Sequence, residues 1–329
     1  HRFFADPMNL MEIVFHRGQT IAWWFVRQLH AFDFKHFLPL LAKLPLIIAY
    51  PVSAFRGYIN GLTGRDWRSV ALGFRHIRRQ SLEGYKHLPT GGSAALYKRW
   101  SNERFAAEAR EEFEARLVVA HRVEELKCTF KPTHADQICR LNNSRGLMLL
   151  TLHFDSFFVG AAFLARSGAT INFMSSSVTH DPRVDAAVQD HFDSKYRGLE
   201  RYLNGGSIVN MEDGLRPFYR MLERHETLIV LGDAPAVPNG VSMTVEFLGH
   251  HRKMAGGALR LAERTGSDIG GYLCHHRGGG HYELEVCRIG PASDPASIQH
   301  VYDFFSDAIT KDPGLWWAVD LLPDMTKSD

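Results

Sequence analysis

Four cysteines in 329 residues, Cys128, Cys139, Cys274 and Cys287, are too few to staple a chain of this length. Their scarcity excludes a disulfide scaffold and points to a reducing compartment, the cytoplasm. Charge of one sign is lacking too: 38 Lys and Arg against 36 Asp and Glu leave a formal net charge of +2. That is too little to draw nucleic acid, which is not expected as a partner. No opening stretch combines a basic start, an apolar run and a small-residue cleavage site, so no secretory signal is read. There is no low-complexity tract and no internal repeat; the string HFDS occurs at 153–156 and 191–194 in unlike flanks and is read as coincidence. The longest apolar run, FLPLLAKLPLIIAYPVSAF at 37–55, is broken by Lys43, Pro39, Pro45 and Pro51. A bilayer-spanning helix needs about 20 apolar residues with little interruption. This run is therefore expected to lie at an interface or pack on the domain. A Gly-x-Ser-x-Gly elbow is also missing, so no serine acyl-enzyme is expected.

What is present is ordinary for a folded protein, with 45% hydrophobic and 22% charged residues. One main domain with an appendage is the expectation. Residues 8–60 mix Phe, Trp, Leu and Ile with His16, Arg17, Arg27, Lys35, Lys43 and Arg56. Rings and long basic stems suit a lipid headgroup boundary; an amphipathic helical pair covering a core would have a similar composition. Arg75, His76, Arg78, Arg79 and Lys86 form a second basic cluster, either a solvated helix face or a contact for anionic lipid or a carrier's phosphopantetheine arm. Residues 101–127 read as a structural helix capped by Ser101. Pro132 and the Asn142-Asn143-Ser144 breaker then change the texture.

Beyond them, short apolar runs at 146–152, 169–174, 227–231, 268–273 and 282–286 alternate with helical patterns at 156–166, 182–203, 215–224, 255–265 and 296–309. That alternation predicts an α/β fold: a mixed, largely parallel sheet flanked by helices, with an N-terminal helical membrane-associating layer. The expected division is 1–60 for that layer, 61–140 for a helical region and 141–329 for the α/β core.

The run 146–152 delivers His153 at its carboxyl end, where ligands gather in open α/β sheets. An imidazole can take a proton from an attacking hydroxyl or amine near neutral pH, although one histidine at a strand end, considered alone, is more often a hydrogen-bonded structural residue. Cys274, His275, His276, His281 and Cys287 cluster around Gly278, Gly279 and Gly280, but their spacing fits no common zinc pattern and a hairpin explains the glycines. His250, His251, Arg252 and Lys253 read as a basic loop ahead of a helix, with Arg252 a candidate contact for an anionic donor or headgroup.

The string SRGLMLLTLHF at 144–154 resembles the strand and catalytic histidine of the lysophospholipid-type acyltransferases, in particular the lipid A lauroyl and myristoyl transferases. DGLRPFYRML at 213–222 and TLIVLGD at 227–233 are similar to the family's helix and following strand ending in Asp; VEFLG at 245–249 and ALRLAERTG at 258–266 to its turn and helix; DPGLWW at 312–317 to its C-terminal Pro and Trp signature. The resemblance spans roughly 37–322 and is strongest from 144 to 273. It implies transfer of a fatty acyl chain from an acyl-carrier-protein or coenzyme A thioester to a hydroxyl or amine of a lipid or lipid-like acceptor, with His153 as general base and no metal or resident cofactor. It also implies a peripheral place on the cytoplasmic face of the bacterial inner membrane, with acyl carrier protein and the lipid surface as partners.

The family's His-x-x-x-x-Asp/Glu motif is broken here, because the fifth residue after His153 is Phe158. Asp155 is expected to reach the imidazole if the chain turns sharply; Asp233, from a neighbouring strand end, is the other candidate. Phe158 would then face the site or line the acyl groove. A literal match, HDPRVD at 180–185, lies where the resemblance places a substrate-contacting segment, so His180, Arg183 and Arg197 are candidate acceptor or phosphate contacts. Two rival classes share this site: a thioester hydrolase using water, and a non-catalytic acyl or carrier-protein binder.

Overall fold

Alternate side chains of the central strands enter different cores. Leu147 and Leu149 join one cluster with Ile229, while Met148, Leu150 and Leu152 join a second with Leu228 and Val230. A strand with period-2 side chains and both faces covered must read as a continuous apolar run, as 147–152 does. The computed structural model describes residues 19–73, 75–131 and 145–325. Residues 8–18 of the aromatic segment, Pro132, Cys139 and the breaker at 142–144 lie outside them.

The strands are β1 Lys127–Phe130, β2 Leu147–Thr151, β3 Ile171–Ser175, β4 Ile208–Asn210, β5 Thr227–Leu231, β6 Ser242–Phe247, β7 His250–Ala255, β8 Asp268–Gly278, β9 His281–Val286 and β10 Gly290–Pro291. The main sheet runs β1-β9-β8-β2-β5-β3-β4, with β10 on β8; only β8/β9 and β8/β10 pair antiparallel. The mixed, mostly parallel sheet flanked by helices is as expected. β6 and β7 form a separate antiparallel hairpin that the sequence reading missed.

The helices are α1 Gln19–Phe32, α2 Leu46–Thr63, α3 Trp67–Leu72, α4 His76–Tyr85, α5 Ala94–Val119, α6 Phe157–Ala165, α7 Ala186–Glu200, α8 Arg216–Glu223, α9 Gly257–Arg264 and α10 Pro295–Lys311, besides shorter turns. α5 differs from the expected 101–127: Ser93, not Ser101, caps it, accepting from the Leu96 N–H at 3.3 Å. Ser101 lies inside the helix and is buried. From Arg104 onward most charges of α5 are sunk rather than solvated. Arg104 bridges Asp66 and Glu108, Glu112 receives Arg56, Glu111 receives Lys195, and Arg110 reaches Asp155.

α2 packs on α5 with its small and polar side inward, through Ser53, Arg56, Gly57, Asn60 and Gly61. At Gly57 a Cβ would come within 2.5 Å of the Ala106 Cα, so only glycine allows this approach. Arg75 and Arg78 of the second basic cluster close the carboxyl end of α2. Arg75 donates to the Leu62 and Thr63 carbonyls and Arg78 to that of Gly61, the placement that satisfies orphan helix carbonyls.

Candidate active site

β2 and β5 are parallel neighbours, and Thr151 pairs with Leu231. Two residues further, past the sheet edge, the same register sets His153 beside Asp233. The imidazole Nδ1 lies 3.0 Å from Asp233 Oδ1, and the His153 backbone N–H donates to Oδ2 at 2.8 Å. The Trp316 indole N–H also donates to Oδ2, at 3.0 Å. Burial would push the Asp233 carboxyl up, but the adjacent imidazole and these donors hold it below the usual carboxylate range. With the Nδ1 proton assigned toward the carboxylate, Nε2 carries the free lone pair. The ring is about one quarter open to solvent, 26% against 1% for Asp233. Solvent can therefore reach the imidazole but not the carboxylate behind it.

The C-terminal DPGLWW segment is laced to the turn that carries His153. Trp317 N–H donates to the His153 carbonyl at 2.8 Å, Asp155 N–H to the Leu315 carbonyl at 2.9 Å, and Phe154 bridges Trp316. The Phe157 and Trp317 rings stand 5.5 and 5.9 Å from the imidazole, an apolar wall that strengthens electrostatics within. The sequence marks Trp316 only through a resemblance; its indole N–H reaches a strand-end carboxylate far away in the chain, a relation that no local pattern announces.

Asp155 is not the histidine's partner. Its backbone adopts a left-handed conformation, φ 47°, and swings the carboxylate away. There it meets the Arg110 guanidinium, the Ser156 hydroxyl at 3.3 Å and the His276 backbone N–H at 3.0 Å. The same pocket of charge holds Glu114, bonded by Ser156 and Tyr282; burial, opposed by Arg110, pushes it up to about 8.

Phe158 does not face the imidazole either. It is 3% exposed on α6, with the Lys195 ammonium over its ring and Tyr196 beside it. His180 pairs with Asp193 at 2.9 Å, whereas Asp185, its partner in the literal motif, caps α7 through the Ala187 N–H. Arg183 folds back on Asp181. His180 and Arg197 do line one cleft of about 210 Å³, with Ser176, Asp193 and Asn210. Arg252 is corrected outright: it lies on strand β7, not in a loop, is 1% exposed, and donates to the Phe247 and Met325 carbonyls at 3.1 Å. It cannot greet an anionic ligand from there. The Cys and His cluster forms the β8–β9 hairpin, and among the described residues no group of three or more His, Cys, Asp or Glu is placed to hold a metal.

Comparison with curated proteins returns no match for the chain. The family model described as bacterial lipid A biosynthesis acyltransferase matches residues 100–318, a span that contains His153, Asp233, Trp316 and Trp317. Two thirds of the sequence and the strand that presents the histidine thus agree, and the chain belongs to the bacterial lipid A biosynthesis acyltransferase family.

Proposed function

We propose that this acyltransferase moves a fatty acyl chain from an acyl-carrier-protein or coenzyme A thioester to a hydroxyl or amine of a lipid acceptor, with His153 as general base. The observation that carries the reading is the buried Asp233 on Nδ1 of a partly open imidazole at the carboxyl ends of two adjacent parallel strands. His153 Nε2 takes the acceptor's proton as its oxygen or nitrogen attacks the thioester carbonyl. The tetrahedral intermediate collapses, the C–S bond breaks, and the imidazolium returns the proton to the leaving sulfur. Asp233 keeps the tautomer and supports the transient cation, the role an orienting acid has in hydrolase triads. An intact acid on the imidazole favours catalysis over a binding-only role, despite Phe158. No further cofactor enters this scheme.

Attachment to the cytoplasmic face of the inner membrane is part of the same proposal. α2 is inverted: its polar residues face the protein while Ile47, Ile48, Phe55, Tyr58, Ile59 and Leu62 are exposed, Ile47 to 81%. Trp24, Phe25, Leu29 and Phe32 on α1 are exposed as well. So large an exposed apolar surface suits the boundary of a bilayer. No helix among the described residues is long and apolar enough to cross a membrane.

The test is transfer itself. Labelled acyl-carrier-protein and acyl-coenzyme A thioesters are supplied with bacterial lipid acceptors in mixed micelles, and products are read by mass spectrometry. Acylated lipid is expected. Thioester loss without acylated product would make the protein a hydrolase, and donor binding without turnover would make it a binder.

A further inference from the structure

A carboxylate can turn about its Cβ–Cγ bond and offer either oxygen to a neighbour. At Asp233 that freedom is removed. Oδ2 accepts both the His153 backbone N–H at 2.8 Å and the Trp316 indole N–H at 3.0 Å, which leaves Oδ1 for the imidazole at 3.0 Å. We infer that Trp316 is a positioning residue of the reaction, acting through Asp233 to fix the acid's rotamer and to set how strongly its charge supports the His153 imidazolium. The inference rests on the reading of His153 as the base.

Trp316 is built into place for this. It is fully buried, its ring meets Phe247 edge-on at 5.8 Å, and its backbone bridges Phe154. A buried indole N–H is a donor only and usually finds an acceptor; that of Trp316 finds the acid of the site. The backbone around it also carries the Trp317 N–H to the His153 carbonyl, so acid and base are held from one segment. The ionisable groups that face Asp233 are His153 and, from α10, Tyr302, whose hydroxyl donates to the Gly232 carbonyl at 2.9 Å.

Trp316→Phe keeps an aromatic ring and removes the donor. The carboxylate, less neutralised, should favour the imidazolium more, so the His153 ring should keep its second proton to higher pH than in the wild type, with the acid limb of the pH–rate profile following it. Maximal transfer should fall about tenfold as Oδ1 loses its fixed aim, about the worth of one hydrogen bond to a charged group. The decisive readout is the NMR titration of the His153 ring in folded protein, because a role confined to packing would leave it unmoved. If Trp316→Phe does not fold, 3-benzothienylalanine at 316 retains the shape without the N–H. An unchanged His153 pKa in either folded variant overturns the inference. A shifted pKa with an unmoved rate profile upholds Trp316's hold on the dyad and removes instead His153's role as base.

Discussion

The Lys195 ammonium lies 4.2 Å from the centroid of the Phe158 ring, and its charge is met by Glu111. Position 158 is where the family resemblance calls for a carboxylate on the histidine, yet here it opens toward a buried cation–π contact. The carboxylate on the imidazole comes instead from Asp233, just past the end of β5. Restoring the motif should therefore not restore anything. Phe158→Glu would set a second buried carboxylate on an ammonium already paired with Glu111, while vacating aromatic volume. A loss of about 2–5 kcal/mol in stability and no gain in transfer are expected. Thermal melts and the transfer assay check this; a stable variant with faster turnover would mean that the side chain faces the imidazole after all.

The two candidate acids should separate cleanly. Asp233→Asn keeps the shape but offers an amide to Nδ1, so transfer should fall by about 10²–10⁴ with little change in melting temperature. Asp155→Asn should do the reverse. It leaves the Arg110 guanidinium with only Glu114, 3.7 Å away, as a carboxyl partner, at a cost on the order of 2–3 kcal/mol, and touches the imidazole only through the turn. Kinetics and melts of the two variants side by side decide it, and a larger rate loss in Asp155→Asn would reinstate that residue as the acid.

Glu114 gives the fold a pH dependence of predictable sign. Its carboxyl titrates near its ordinary value of 4.5 when unfolded and at about 8 when folded. Between those values the native state binds the extra proton, so the contribution to stability is fully present below pH 4.5 and is lost as pH rises through 8. Glu114→Gln removes that loss. The variant's melting temperature relative to wild type should climb between pH 5 and pH 8; a constant difference would place Glu114 ionised in the fold.

The inverted face of α2 should govern membrane attachment. Ile47 and Phe55 are exposed to 81% and 65%. Replacing both, by Ile47→Asp and Phe55→Asp, should reduce flotation with anionic liposomes severalfold and leave the melting temperature within about 1 °C. Undiminished flotation would assign attachment to another surface.

Much of this arrangement is legible from the chain, for physical reasons. β2 and β5 are buried on both faces, so composition alone marks them, and Thr227–Leu231 falls where it was read. His153 follows because it ends such a run. The partner acid was harder. Asp155 is near in sequence, but whether a two-residue spacing turns toward or away depends on a single φ, here the left-handed one. Asp233 becomes the obvious partner once the register Thr151 to Leu231 is known, and register is a non-local quantity. The β6–β7 hairpin hid behind exposed polar alternation, so Arg252 passed for a loop cation. Trp316 lies far along the chain from both members of the dyad, and only the folded contact reveals its bond.

The most direct measurement is acyl transfer by His153→Ala under donor saturation, with donor affinity and melting temperature recorded on the same preparation. A strand-end imidazole about one quarter exposed contributes little to the core, whereas a proton-transfer group contributes about 10²–10⁴ in rate. The account predicts that transfer falls by at least about a hundredfold while donor binding and melting temperature stay near those of the wild type. Transfer at the wild-type rate from a folded, donor-binding His153→Ala protein would contradict it.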